Sequence, residues 1–290
     1  MSYTVVSNLD QAVEALAKSE GKARVVAGAT DLFLGNLPPE LVDISTVPDL
    51  LGINRDPDYL SVGAGVTHAR AAASPEIRLK AEALAEACRE VGSPQVRNMG
   101  TLGGNVVNAA PAADAAVALV ALGAKAVLVD LNGVYREAAV EDLYANYNLS
   151  VVDSSSEILL RFLLGPTVRG EGSAFLRFAP RGALSLPLVN AAARVRLKGN
   201  TIEAVRAVIA PVSPAPTRLS ETEKLLLGSK PAQDTWRRVE YTAAAEVDVR
   251  GSMLRCSAEY RHHLIGVLAR RMIRKALERA LESKEGGDGR

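Results

Sequence analysis

Val91-Gly92-Ser93-Pro94-Gln95-Val96-Arg97-Asn98-Met99-Gly100-Thr101-Leu102-Gly103-Gly104-Asn105, continued by Asn108-Ala109-Ala110-Pro111-Ala112-Ala113-Asp114, is where the helical periodicity of the chain breaks. Four glycines and two prolines fall within residues 92–111. Twenty residues are too many for an ordinary connection, and long loops in compact domains are usually functional, so a structureless functional loop is expected here. Inside it, Thr101-Leu102-Gly103-Gly104-Asn105 combines a hydroxyl, bare amides and a carboxamide, groups that suit phosphate and polyol oxygens. Asp114 follows at the start of a helix, where its carboxylate can accept from a sugar hydroxyl or cap the helix.

A second glycine turn lies upstream. Val25-Val26-Ala27-Gly28-Ala29-Thr30-Asp31-Leu32 reads as a buried strand running into a tight turn, and its small residues let a ligand such as a pyrophosphate approach the backbone N–H groups. Neither G-x-G-x-x-G nor G-x-x-x-x-G-K-[ST] occurs, which excludes a Rossmann fingerprint and a P-loop.

Around these turns the pattern is α/β. Leu9, Ala12, Val13 and Leu16 have helical spacing after a polar cap at Asn8, and strands are expected over 23–27, 41–44, 49–53 and 59–63. A brief helix over 67–73 and one longer helix over 75–91 precede the loop, and an Ala-rich helix over 112–123 follows it. A strand over 126–130 runs into an Asn132-Gly133 hairpin turn, and another strand spans 158–164. Gly165-Pro166 and Arg169-Gly170-Glu171-Gly172 mark the expected domain boundary. Beyond it, strands over 174–178, 192–197 and 202–210 and helices over 217–227, 231–245 and 258–281 suggest an antiparallel sheet with helices on one side.

At 290 residues the chain is long enough for about two domains. Lys+Arg number 34 against 33 Asp+Glu, so no one-signed field favours nucleic acid or an anionic membrane surface. Aromatic residues make up only 4% of the chain, which predicts an aliphatic, closely packed core. The longest apolar run, residues 115–124, is far short of the roughly 20 residues that span a bilayer. With no signal-like N-terminus, a cytoplasmic location is expected. Cys88 and Cys256 stand far apart in sequence, so the chain has neither a disulfide framework nor the thiolates of an iron–sulfur cluster. His68, His262 and His263 fit no nucleophile–base motif and read as structural or surface imidazoles.

The loop around Thr101–Asn105 with its flanks strongly resembles the FAD-binding medium subunit of molybdenum hydroxylases, the relatives of carbon monoxide dehydrogenase, xanthine dehydrogenase and aldehyde oxidoreductases. Ala27-Gly28-Ala29-Thr30-Asp31 resembles the first FAD loop, Glu157-Ile158-Leu159 the strand near the flavin, and Gly172-Ser173-Ala174-Phe175 the opening of the C-terminal domain. Asp248-Val249-Arg250-Gly251-Ser252 and Ser257-Ala258-Glu259-Tyr260-Arg261 are similar to the family's closing segments. The resemblance implies an α+β chain with a two-lobed, vanillyl-alcohol-oxidase-like (PCMH-type) FAD domain over 1–168, its lobes 1–52 and 53–168. A C-terminal α+β domain over 169–282 and a disordered tail over 283–290 complete it.

On the family pattern, Val25–Leu32 carry the pyrophosphate loop and Thr101, Leu102, Gly103, Gly104 and Asn105 the second loop. Asp114 contacts the cofactor's hydroxyls, and Val91 and Leu159 lie beside the flavin or adenine. Two departures stand out: Gly28-Ala29 replaces a common Gly-Gly, and Leu176-Arg177 stands where several relatives carry a Lys, leaving Arg177 as the substitute cation. With few rings to stack on a flavin, a grip by backbone amides at Gly28 and Gly103-Gly104 and by the aliphatic walls of Val91 and Leu159 is expected. The implied function is electron transfer: a molybdenum cofactor in a large subunit, two 2Fe–2S clusters in a small subunit, and FAD here, assembled as a heterotrimer or its dimer. A stand-alone flavin oxidase and a flavin-free structural subunit are the alternatives.

Overall fold

The computed structural model describes residues 2–34, 37–249, 251 and 256–285. The chain begins with β1 (Ser2–Val5), α1 (Leu9–Lys18), β2 (Ala23–Val26) and β3 (Glu40–Asp43), in which β3 pairs in parallel with both β1 and β2. The Asn8 side chain accepts from the Gln11 N–H and starts α1, which buries Ala12 and Leu16 against this sheet.

The middle of the chain contains β4 (Ile53–Arg55), β5 (Leu60–Gly63), α2 (His68–Ala73), α3 (Pro75–Lys80), α4 (Glu82–Glu90), α5 (Pro94–Met99), α6 (Leu102–Val107) and α7 (Asp114–Leu122). After these come β6 (Lys125–Asp130), β7 (Tyr135–Ala139), the small pair β8 (Tyr144–Asn146) and β9 (Leu149–Ser150), and β10 (Glu157–Leu164). An antiparallel sheet of order β4-β5-β10-β6-β7 results, with the turn between β6 and β7 closed by Gly133 at φ +74°. Alternation, shifted by an irregularity in the β10–β6 register between Leu159 and Arg161, splits β10 between two cores: Ile158 and Leu160 share one with α1, whereas Leu159 and Phe162 face the helices.

The last part consists of β11 (Glu171–Phe178), β12 (Val189–Lys198), β13 (Thr201–Ala210), β14 (Thr217–Arg218), α8 (Ser220–Leu226), α9 (Gln233–Ala245) and α10 (Ala258–Glu285), with an antiparallel sheet in strand order. Ala191, Ala193, Val195 and Leu197 on one face of β12 pack with Ile265, Leu268 and Met272 of α10. The opposite face is covered as well: Ala192, Val208 and Phe175 share a core with α7. All nine residues of α7 are buried, which explains an apolar run too short for a membrane as a helix enclosed on every side. No described helix is long and apolar enough to cross a membrane. Of the largest fully buried side chains, Phe162 alone is aromatic, so the core is aliphatic as composition predicts.

Several expectations need correction. The helix over 75–91 is two helices, broken at Ala81 (φ −146°, ψ 52°), because the Ser173 hydroxyl of β11 accepts the Ala83 N–H at 3.2 Å and starts α4 anew. Residues 92–111 are not structureless: Ser93 caps α5 and Thr101 caps α6. A 3-10 turn over Pro48–Leu50 replaces the first half of the strand expected at 49–53, and the helix expected from Thr217 begins at Ser220 after β14. The helix expected to end at 281, before a tail from 283, runs to Glu285, where both Nε and Nη2 of Arg169 donate to the Lys284 carbonyl. Residues 286–290 of that tail, with Arg250 and Ser252 of the closing segment, lie outside the described residues.

Candidate cofactor site

The two glycine turns dock on each other. A Cβ at Gly28 would overlap the Met99 carbonyl oxygen and lie 2.9 Å from Gly100 Cα, so the first loop rests directly on the backbone between α5 and α6. His68 reinforces the junction: its N–H donates to the Gly100 carbonyl at 3.0 Å, and its ring is buried. Burial and the neighbouring Arg97 charge hold this imidazole down to about 4, so it is neutral, and its Nδ1 has no partner.

The loops differ in what they can still donate. No protein acceptor takes the amides of Gly28, Ala29 or Thr30 among the described residues. Ala29 sits at φ +55°, the left-handed conformation that turns successive N–H groups to one side and that a Gly would adopt with less strain. In the second loop, by contrast, Leu102 and Gly103 donate to the carbonyls of Val66 and Ala64 at 3.0 and 2.7 Å, and Gly104 donates to Thr101 Oγ1 at 3.1 Å. The expected grip by Gly103-Gly104 amides is therefore corrected, because these donors are used to hold α6 on the turn after β5. Gly103 is glycine for contact, since a Cβ would lie 2.7 Å from that of Ala64, whereas Gly104 is exposed and leaves room above the turn. Asn105 Oδ1 accepts the Ala116 N–H at 3.2 Å and fastens α6 to the first turn of α7.

Asp114 is 6% exposed. Its Oδ1 accepts from Asn190 Nδ2 at 2.7 Å, and its Oδ2 lies 3.6 Å from Arg177 Nε. Arg177, also buried, donates to the carbonyls of Glu90 and Ser185, so this cation is anchored beside Asp114 between α4 and the turn after β11. Val91, at the end of α4, is partly buried and its carbonyl accepts from Arg97; Leu159 is buried across from Leu128. Asn190 is absent from the sequence-derived site. Its signal is a lone carboxamide within the apolar run Leu188–Ala193.

Burial raises the Asp114 carboxyl to about 6, against the lowering effects of Arg177 and the Asn190 hydrogen bond. A folded pKa above the unfolded value of 3.8 means that this group favours the native state fully below pH 3.8 and that the contribution is lost as pH rises through about 6. The loss is on the order of 3 kcal/mol. Measured by denaturation, the stability of the wild type minus that of Asp114→Asn is expected to fall by this amount between about pH 4 and about pH 7. A difference independent of pH would show that Asp114 is ionised throughout.

Residues 1–164 match the FAD binding domain in molybdopterin dehydrogenase, and residues 174–276 match the CO dehydrogenase flavoprotein C-terminal domain. The chain belongs to this family of FAD-binding dehydrogenase subunits. Among curated relatives, the 6-hydroxypseudooxynicotine dehydrogenase complex subunit alpha of Paenarthrobacter nicotinovorans is 30% identical, over 99% of this chain and 97% of the relative. The carbon monoxide dehydrogenase medium chain of Hydrogenophaga pseudoflava is 25% identical over 96% and 97%. Among solved structures, quinoline 2-oxidoreductase from Pseudomonas putida 86 superposes with a TM-score of 0.86 at 26% identity, covering 98% of each chain. Reconstituted CO dehydrogenase from Oligotropha carboxidovorans gives 0.88 at 26%, over 96% of this chain and 98% of its own.

As a member of this family the chain is the FAD-binding subunit of an oxidoreductase, and its residues suit that cofactor: the free amides of Gly28–Thr30 match the diphosphate of a dinucleotide. No cluster of potential metal ligands occurs among the described residues.

Proposed function

We propose that this chain transfers electrons from an iron–sulfur partner subunit, through FAD held against its docked glycine loops, to an external acceptor such as NAD or a quinone. The observation that carries the reading is the triplet of unengaged amides at Gly28, Ala29 and Thr30, set on the turn before α6. FAD, when bound, accepts electrons one at a time and releases them as a pair. Val25–Leu32 hold the diphosphate, and Gly104, lacking a Cβ, lets the cofactor approach α6. The buried Asp114–Asn190–Arg177 cluster forms the polar wall, with the Asn190 Oδ1 still unpartnered, and Val91 and Leu159 form the aliphatic one.

On this reading residues 1–168 form the FAD-binding unit, with lobes 1–52 and 53–168, and residues 169–282 form the C-terminal unit. The molybdenum cofactor and two 2Fe–2S clusters belong to a large and a small partner subunit, in a heterotrimer or its dimer and in the cytoplasm. Support comes from the name medium chain carried by the Hydrogenophaga relative and from two free cysteines, too few to hold a cluster.

Purified chain is expected to retain flavin absorbance after FAD is added and excess is removed. Gly104→Val should weaken FAD binding at least about tenfold with only a small shift of the unfolding midpoint, because the added Cβ meets only the Thr101 Oγ1 cap at 3.1 Å. No retained flavin would overturn the proposal. Oxidation of a small alcohol without partner subunits would favour the stand-alone oxidase.

A further inference from the structure

The fold sorts the charges of α4 onto opposite sides. Glu82 and Glu86 pair with Arg279 and Lys275 of α10, and Glu90 approaches Arg177 at 3.9 Å, so every carboxylate of the helix is turned toward the last part of the chain. Arg89 is left on the other side. There a cleft of about 400 Å³ opens between α2, α3, α4 and α5. Arg78 of α3, Arg89 of α4 and Arg97 of α5 line it, no carboxylate does, and Ala69, Ala72 and Ala73 of α2 contribute to its wall. Arg78 and Arg89 are exposed and have no ion pair among the described residues. Arg97 is half-buried and oriented by its 2.9 Å bond to the Val91 carbonyl.

We infer that this cleft is a second anion site, which takes a small molecule bearing a diphosphate and lies apart from the glycine loops. Three arginines on three different helices line one cleft that no carboxylate lines, so each keeps donors for phosphate oxygens, and Arg presents them in a fork that matches a phosphate edge. The alanines keep that wall open, giving room for whatever the diphosphate carries. Chain-wide charge balance hides the feature, because the compensating carboxylates are consumed elsewhere. The inference does not rest on the flavin reading, since no residue of Val25–Leu32 or Thr101–Asn105 lines the cleft, although α5, which carries Arg97, joins it to the second glycine turn.

The test is calorimetric titration of the full chain with inorganic pyrophosphate at low ionic strength, with and without saturating FAD, for the wild type and the R78A/R89A double variant. With FAD saturating, so that the glycine-loop site is filled, one pyrophosphate per chain is expected to bind, more weakly as salt is raised. The double variant should raise the Kd at least about tenfold and leave FAD affinity and the unfolding midpoint unchanged. A parallel titration with ADP that binds more tightly than pyrophosphate, and is lost in the same variant, would assign the site to a nucleotide. Absence of saturable binding with FAD saturating, displacement by FAD of the pyrophosphate that depends on Arg78 and Arg89, or a double variant that binds as well as the wild type in the presence of FAD would overturn the inference. A chain that takes no FAD but still binds pyrophosphate through Arg78 and Arg89 would refute the flavin reading alone.

Discussion

Gly28→Ala is expected to weaken FAD binding about 100-fold and to lower stability by about 3 kcal/mol, large effects for a single methyl group. The methyl would occupy the volume of the Met99 carbonyl oxygen, with Met99 C at 2.7 Å and Gly100 Cα at 2.9 Å. All three are backbone atoms, and α5 and α6 fix that backbone on either side, so no side chain can rotate away. The first loop must lift, and with it the free amides of Gly28, Ala29 and Thr30 leave the turn before α6. Ala29 supplies the internal comparison, since the same loop carries a methyl there at φ +55°. Flavin titration with thermal denaturation checks both numbers. A Gly28→Ala chain that binds FAD like the wild type would show that the loops do not dock in this way.

The second large effect is expected at Glu86, where α4 meets α10 and β11. Its carboxylate accepts from the Phe175 N–H at 2.9 Å, from Lys275 Nζ at 2.6 Å and from Arg279 at 2.7 Å, and its side chain is only 14% exposed. Burial pushes this carboxyl up, but the Arg279 and Lys275 bonds outweigh it and hold it below the ordinary range. Glu86→Ala therefore leaves Lys275 and the Phe175 amide without their partner, and Arg279 with only Glu82 and the Ser173 carbonyl. A cost of about 3 kcal/mol is expected, the low end for a broken buried pair because Lys275 stays 37% exposed. Glu86→Gln, which keeps one acceptor for the Phe175 amide, should lose less. A denaturant midpoint for Glu86→Ala corresponding to under about 1 kcal/mol would show that solvent already screens the network.

Both positions illustrate what was legible. The glycine turns stand out because only small residues fill them, and Ser93 and Thr101 are recognisable helix caps on the pattern of residues that follow them. Their reading as one loop failed because Gly and Pro density masks two helices of a turn and a half each. Gly103 and Gly104 look alike in sequence yet serve different ends, one packed against Ala64 and the other exposed, with only Thr101 Oγ1 near its missing Cβ. Asp114 could be placed at a helix start, but its partner Asn190 lies on a strand 76 residues away.

The sequence by itself determined what depends on neighbours within about four residues: the Asn8 cap, the Asn132-Gly133 turn, the strand over 192–197 and the helix α7, apolar after Asp114. Resemblance of the loop motifs was enough to indicate an FAD-binding subunit. Tertiary structure alone decided which donors remain free and which charges remain unpaired. Val66 and Ala64 claim the amides of Leu102 and Gly103, Ser173 breaks the helix at Ala81, and α10 draws Glu82 and Glu86 away from Arg89. The physical reason is that a hydrogen-bond donor or a charge has a fixed local chemistry, whereas its partner is set by packing between segments up to 193 residues apart.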